Sequence, residues 1–169
     1  MNYETADSYC YNDSAEYCDK FGRLYTWAAA VGKSEEVCGF GHSCSLPSGN
    51  IQGVCPEGWH LPTRTEWDTL FTAVGGSSIA GAKLMSTSGW SGDDIGTDDF
   101  SFSALPAGFR ADDGYYFNEG NYAYFWSSTE FGDSHAYYMY LYYRNDGAEL
   151  LDTDDVFKND AISVRCLKN

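Results

Sequence analysis

The stretch LPTRTEWDTLFTAVGG, residues 61–76, contains a complete set of helix signals. Thr63 followed at the third position by Glu66 is a capping box, in which each side chain accepts a hydrogen bond from the other residue's backbone N–H. Four apolar residues recur at the helical spacing i, i+3, i+4 and i+7: Trp67, Leu70, Phe71 and Val74. Two glycines then end the pattern. The sequence therefore predicts a helix over about residues 64–74.

Weaker helix signals lie on both sides of this stretch. Downstream, SSIAGAKLMSTSG predicts a helix from Ile79 to about Ser86, with Ser78 as its cap and Gly81 in its interior. Upstream, GRLYTWAAAVG predicts a short helix between its glycines, and residues 32–53 are typical of a loop that Cys38 and Cys44 hold.

After residue 89 the hydrophobic period changes to two. Short β-rich runs follow one another, separated by Gly, Asn and Asp: FSFSALPAGFR, GYYFNEG, YAYFWSSTE, HAYYMYLYYR and AISVRCLK. Helices therefore come first and an antiparallel sheet follows, which is an α+β arrangement. At 169 residues the chain is long enough for one domain with a substantial core, and we expect a single domain over residues 1–169.

Charge and hydrophobicity exclude two classes of partner. The net charge is −15, and the ten Lys and Arg residues are scattered singly, so no basic stripe is available for nucleic acid. No apolar run approaches the roughly 20 residues of a membrane span. We therefore expect neither nucleic-acid binding nor a membrane span in this chain.

The six cysteines predict three disulfides. None of them shows the C-x-x-C spacing of a zinc site. Cys10–Cys18 and Cys38–Cys44 are close enough in sequence to close small loops, which leaves Cys55 to pair with Cys166. Disulfides indicate an oxidising compartment, while six reduced thiols in a cytosolic protein remain the alternative.

The first residues, MNYETADSY, are polar and acidic and lack the apolar region of a signal peptide. We expect residues 1–9 to be the remnant of a longer N-terminal region. Export is inferred from the cysteines.

No motif predicts catalysis or a metal site. Glu57, His60 and Glu66 lie near one helix start, but a second histidine for a metal-binding helix is missing, and capping explains the segment. No G-x-S-x-G nucleophile motif occurs. Two acidic clusters could hold a structural calcium ion through their carboxylate oxygens: Asp93, Asp94, Asp98 and Asp99, and then Asp152, Asp154 and Asp155. We expect no enzyme and no cofactor.

Five motifs, in order and spacing, resemble the Fibrobacter succinogenes major paralogous domain family: GRLYTWAAA, QGVCPEGWHLPTRTEWDTL, FSALPAGFR, FWSSTE and SVRCLK. The resemblance extends from about Cys10 to Lys168. It implies an exported or lipid-anchored surface protein of an anaerobic bacterium, a lipoprotein for example, without an assigned catalytic activity.

A more distant resemblance is to the C-type lectin fold. There a CPxGW segment, here residues 55–59, opens a helix, and a terminal strand carries a cysteine that bridges back, as Cys166 would. This implies two helices packed on a twisted antiparallel sheet. The calcium-binding EPN, QPD and WND tripeptides are missing from the sequence, so calcium-mediated sugar binding is not expected. The same fold is the scaffold of variable proteins from diversity-generating retroelements, which this chain resembles.

The stretch SHAYYMYLYYRND, residues 134–146, predicts the binding face. In an extended strand Tyr138, Tyr140 and Tyr142 share one face, which we expect to be exposed, while Met139 and Leu141 point into the core. A polar turn of Arg144, Asn145 and Asp146 completes the face. Tyr124 belongs to the predicted site, and with Tyr122, Tyr115 and Tyr116 it would extend the face if their strands are neighbours. Exposed tyrosine gives rigid contact area with a hydroxyl group. Ordinary cross-strand pairing of tyrosines in a half-wet sheet is the alternative.

The resulting hypothesis is a non-catalytic, surface-displayed ligand-binding domain. It would be a retroelement-type variable receptor that binds a protein partner through the Tyr-rich face, with diversity between about Tyr137 and Asp155. An acidic rim would favour neutral or basic partners. A fixed carbohydrate-binding adhesin and a structural surface protein without a ligand are the alternatives.

Overall fold

The computed structural model describes residues 1–92, 96–152 and 156–169 and has a mixed α+β architecture. The described residues form five α-helices: α1 Ala15–Phe21, α2 Trp27–Ala30, α3 Glu35–Cys38, α4 Arg64–Ala73 and α5 Ser77–Leu84. They also form ten strands: β1 Ser8–Tyr9, β2 Leu24–Tyr25, β3 Trp59–His60, β4 Phe109–Arg110, β5 Tyr116–Phe117, β6 Tyr122–Phe131, β7 His135–Tyr142, β8 Ala148–Leu151, β9 Ile162–Ser163 and β10 Leu167–Lys168. No helix among these residues is both long enough and apolar enough to span a membrane.

One six-stranded sheet, in the order β1-β2-β9-β6-β7-β8, organises the chain. Its pairs are antiparallel, as predicted, except that β6 and β9 run parallel. Two small two-stranded sheets flank it, β10 with β3 and β4 with β5. The pairing of the last strand with the strand before α4 brings the chain's end back to the helix start.

The central strands β6 and β7 are buried on both faces over much of their length. On one face, Phe125, Met139 and Leu141 pack with the apolar residues of α4 and α5, as predicted for the two β7 residues. On the other face, Trp126 and Tyr138 pack against α2 and its neighbours. Two indole hydrogen bonds hold α2 and the preceding strand β2 there, from Trp27 Nε1 to Ser127 O at 2.9 Å and from Trp126 Nε1 to Tyr25 O at 2.7 Å.

The helix predicted from the capping box is confirmed. The Thr63 side chain accepts a hydrogen bond from the Glu66 backbone, and the Glu66 carboxylate accepts one from Thr63 N at 2.8 Å. The next helix begins at Ser77 with Gly76 as its N-cap, so the predicted start at Ile79 and the predicted cap Ser78 are wrong. The chain has left the helical region at Gly76, whose φ of 108° suits glycine, so the helix begins one residue later.

Gly81 is accommodated inside α5 by a close backbone contact. A Cβ atom at this position would lie 2.7 Å from the carbonyl carbon of Gly147, in the turn after β7. The same turn accepts a hydrogen bond from Ala82 N to Asp146 O at 2.9 Å. Glycine is therefore required where the helix and the turn touch.

All three predicted disulfides are present: Cys10–Cys18, Cys38–Cys44 and Cys55–Cys166. The last one joins residues 111 positions apart, from the segment before β3 to the segment before β10. The predicted loop at residues 32–53 contains the short helix α3, and the predicted helix near residue 27 is preceded by the strand β2. Residues 1–9 include β1, which pairs with β2.

Candidate functional site

The register of the central hairpin gathers tyrosines on one face of the sheet. Tyr122 lies directly opposite Tyr142, and Tyr124 lies opposite Tyr140. Residues paired in this way share a face and touch through their side chains. The prediction that Tyr124 lies beside the tyrosines of residues 138–142 is therefore confirmed, and Tyr122 belongs to the same group.

Three of these tyrosines form a stack. The rings of Tyr122 and Tyr142 lie 4.4 Å apart and 13° from parallel, and those of Tyr122 and Tyr124 lie 5.5 Å apart at 12°. Each end of the stack meets a further ring at a steep angle, Tyr143 at 84° to Tyr142 and Phe109 at 75° to Tyr124. The stacked rings therefore hold one another in fixed orientations.

Beside the stack is a cavity of about 300 Å³, which we call the tyrosine groove. Seven of the residues that the structure describes line it: Phe109, Asn118, Tyr122, Tyr124, Tyr138, Tyr140 and Leu151. Asn118, with a left-handed φ of 66°, donates a hydrogen bond from Nδ2 to the Tyr124 hydroxyl at 3.0 Å. The groove is thus built from β4, β6, β7 and β8 and from the residue that follows β5.

The expected exposure of Tyr138 is wrong. Its side chain is 1% exposed, and its ring packs 6.2 Å from Trp126 and 6.1 Å from Tyr124. Strand alternation predicts which residues share a face, but the α2 side of the sheet covers this end of that face. Tyr138 therefore forms the floor of the groove, whereas Tyr140 and Tyr142 are half-buried.

The polar turn after β7 is exposed as predicted, but it lies outside the groove. Arg144 packs its guanidinium 4.9 Å from the centre of the Tyr143 ring. Asn145 closes the turn by accepting a hydrogen bond from Gly147 N at 2.9 Å, and Asp146 binds α5 through its backbone oxygen. Arg144, Asn145 and Asp146 are therefore absent from the groove lining.

Three lining residues were missed by the sequence analysis: Phe109, Asn118 and Leu151. Phe109 stands in a run that was predicted as a strand, but its partner strand was not predictable. Leu151 belongs to β8, a strand that was not predicted at all. The same strand places Glu149 directly opposite Tyr140, so the groove face also carries an exposed carboxylate.

Of the two further tyrosines that could extend the face, Tyr116 turns away. Its hydroxyl donates to Asp13 Oδ1 at 2.6 Å, and its ring contacts Tyr11 at 5.1 Å. Burial, followed by the Asp13 carboxylate, raises the pKa of Tyr116 to about 12. Tyr115 is 69% exposed and does not line the groove.

In the second candidate region, around the start of α4, the polar side chains make structural contacts. His60 is 2% exposed, and its ring nitrogens lie 3.0 Å from Glu66 Oε1 and 2.6 Å from Asn169 Oδ1. Burial raises the pKa of Glu66, but hydrogen bonds from Thr63 and His60 lower it by more, to below its ordinary value. Glu57 is exposed and joins neither residue. These contacts anchor the end of the chain to the helix.

The acidic clusters contribute no group that could hold a metal within residues 1–92, 96–152 and 156–169. Asp98 accepts hydrogen bonds from Ser103 N at 2.7 Å and from Ser103 Oγ at 2.6 Å, so its carboxylate closes a loop. Asp93, Asp94, Asp154 and Asp155 lie outside the described residues.

Comparison with known proteins gives one result at the level of family. Neither the curated proteins nor the solved structures contain a match to the chain. The model of the Fibrobacter succinogenes major domain matches residues 1–168. The match includes the disulfides, the capped helix α4 and every residue that lines the tyrosine groove. The chain therefore belongs to the Fibrobacter succinogenes major domain family.

Proposed function

We propose that the chain is a non-catalytic binding domain, displayed at a bacterial cell surface, whose tyrosine groove binds a segment of a protein partner. The observation that carries the proposal is the ring stack beside an open cavity, with Tyr140 and Tyr142 half-buried. Half-buried rings lose little further conformational entropy on binding, yet they retain accessible surface and hydroxyl groups.

The ring geometry favours a protein partner over a sugar. Sugars stack on open ring faces, but the Tyr122 ring lies nearly parallel to the rings of Tyr142 and Tyr124, and each end of the stack meets another ring. Tyrosine rings suit the mixed apolar and polar surface of a protein segment.

A fixed carbohydrate adhesin is the second candidate, and Tyr140 is the residue that favours it. Its ring lies at 43° to Tyr122 and at 35° to Tyr124, with centroids 6.0 and 6.4 Å away, so it is not part of the parallel stack. A sugar ring would use this single platform. The two candidates therefore differ in whether Tyr140 alone or the whole row matters.

Surface display is supported by the chemistry of the cysteines. Three disulfides are stable in oxidising compartments outside the cytosol. A C-type-lectin-like fold belongs to the same proposal. Its support is the packing of α4 and α5 on the sheet and the Cys55–Cys166 bridge between the segment before α4 and the segment before the last strand.

The most specific part of the proposal is that the binding face is diversified. Burial limits the positions at which substitutions are tolerated. In the stretch from Tyr137 to Asp155, Tyr138, Met139 and Leu141 are at most 1% exposed, so substitution there would damage the core. Diversity should concentrate at Tyr140, Tyr142 and the turn. Sequencing this gene across a natural population tests it, and variation spread equally over buried and exposed positions would contradict diversification.

Selection from a random-peptide display library tests the binding proposal itself. We expect peptides that bind the wild-type chain and that lose at least about tenfold in affinity with Tyr140→Ser or Tyr142→Ser. Tyr115→Ser is the matched control, because Tyr115 is exposed but lies outside the groove. A parallel glycan array tests the adhesin. A chain that enriches neither peptides nor glycans would support a structural role and refute the proposal.

A further inference from the structure

We propose that the tyrosine groove receives an organic cation, the side chain of a lysine or arginine on the protein partner. The inference rests on the proposed function and names the chemistry of the part of the partner that enters the cavity. Three observations carry it: the rings that surround the cavity, the distribution of charge around it, and its volume.

Aromatic rings make up most of the cavity wall. Five of the seven lining residues are aromatic: Phe109, Tyr122, Tyr124, Tyr138 and Tyr140. The ring of Tyr124 meets those of Phe109, Tyr138 and Tyr140 at 75°, 56° and 35°. Rings inclined at such different angles enclose the cavity from several directions. An aromatic enclosure attracts cations, because the electron-rich faces of the rings carry negative charge density.

The charge around the cavity has one sign. The lining contains no lysine, arginine or histidine among the residues that the structure describes. Glu149 stands opposite Tyr140 on the same face, is exposed, and forms no salt bridge with a described residue. The whole chain has a net charge of −15. A cation is therefore attracted both by the cavity and by the field around it, whereas an anion is repelled.

The volume of the cavity selects a small occupant. At about 300 Å³ it is at the lower end of the range of ligand pockets, which suits one side chain rather than a large cofactor. An aliphatic side chain would also fit and would bury apolar surface against the rings, but it would gain no electrostatic attraction from the ring faces or from Glu149. A lysine or arginine side chain can bury its methylene groups among the rings and place its charge near the carboxylate.

The experiment compares a cation with its neutral isostere. Choline, N-acetyl-lysine methylamide and N-acetyl-arginine methylamide are titrated into the chain, and binding is followed by NMR of the tyrosine rings. The reference is the neutral analogue of choline in which a tert-butyl group replaces the trimethylammonium group. We expect choline to bind roughly 3- to 30-fold more tightly than this analogue, and both amino-acid amides to shift the same resonances.

Single substitutions test which side chains bind the cation. Tyr140→Leu removes one ring and should weaken choline binding several-fold, whereas Tyr140→Phe retains the ring and should preserve it. Glu149→Gln should weaken binding of the lysine amide. Glu57→Gln is the matched control, because it removes the same charge from an exposed site outside the groove and should have little effect.

Equal affinity for choline and its neutral analogue would overturn the inference. So would absence of binding by the amino-acid amides, or binding that Tyr140→Leu leaves unchanged. Peptides selected on the chain separate this inference from the proposed function. If they depend on Tyr140 but contain no lysine or arginine, the cation inference fails and the binding function stands. If no peptide depends on Tyr140, the binding function fails as well.

Discussion

Truncation of Tyr138 and truncation of Tyr142 compare a fully buried ring at the floor of the groove with a half-buried ring of the stack beside it. Tyr138 is 1% exposed, and a buried aromatic side chain removes about 150–250 Å² from water. At about 25 cal/mol per Å² this burial is worth about 4–6 kcal/mol as an upper bound, and truncations of large buried aromatics cost about 3–5 kcal/mol. Because the groove lets water reach the site, we expect Tyr138→Ala to lower the free energy of unfolding by about 3 kcal/mol.

Tyr142→Ala should have a much smaller effect on stability. Its ring is half-buried and stacks on Tyr122 at 4.4 Å, and such an aromatic pair is worth about 0.5–1.5 kcal/mol beyond its area. We expect a loss of about 1 kcal/mol. Equilibrium unfolding in urea, with the disulfides intact, measures both variants. A Tyr138→Ala variant no less stable than Tyr142→Ala would refute the assignment of Tyr138 to the core.

Three further predictions concern the scaffold. Removing the Cys55–Cys166 bridge by a double alanine substitution should lower the free energy of unfolding by about 5 kcal/mol, because this bridge closes the longer loop. The same change at Cys38–Cys44 should lower it by about 2 kcal/mol, and equal losses for the two variants in urea unfolding would contradict the prediction. Gly81→Ala should cost about 1–3 kcal/mol, because its Cβ meets the turn after β7, whereas the exposed Ser78→Ala on the same helix should be neutral; thermal unfolding of the pair measures the difference. Since the folded pKa of Glu66 is lowered, its stabilisation is present above the ordinary pKa of about 4.3 and is lost as the pH falls through the folded pKa. When the pH is lowered below about 4.3, the free energy of unfolding should therefore fall less for Glu66→Gln than for the wild type. Parallel plots of this free energy against pH for the two proteins would refute the prediction.

Signals that were complete within a short stretch of sequence predicted the structure well. The capping box at Thr63 fixes the start of α4 through local hydrogen bonds alone. Likewise, the pairing of the cysteines follows from their spacing once two short loops are closed. Met139 and Leu141 lie in the core because both are apolar and strand alternation places them on the same face. Each of these features depends on residues that are close in sequence or on simple exclusion.

Features that depend on distant partners were not predictable. Alternation places Tyr138, Tyr140 and Tyr142 on one face, but the covering of one end of that face comes from α2, more than a hundred residues away. The strand β8 is short and contains Glu149, so it carries no alternating signal of its own. Its pairing with β7 nevertheless supplies one wall of the groove.

The combination of a buried floor and a half-buried wall would allow one hairpin to serve both the core and the proposed binding surface. Successive residues of β7 point to opposite faces, so Met139 and Leu141 hold the helices while Tyr140 remains at the groove. Substitution at Tyr140 or Tyr142 should therefore change binding with little loss of folding. That separation is what a binding face on a stable scaffold requires.

The most direct test of the binding assignment is NMR of the chain with its tyrosine rings labelled, titrated with a peptide selected on the wild type. We predict that the shifted resonances belong to Tyr122, Tyr124, Tyr140 and Tyr142, and that Tyr115 does not move. Shifts confined to tyrosines outside the groove, for example the exposed rings of Tyr3 and Tyr115, would contradict the account.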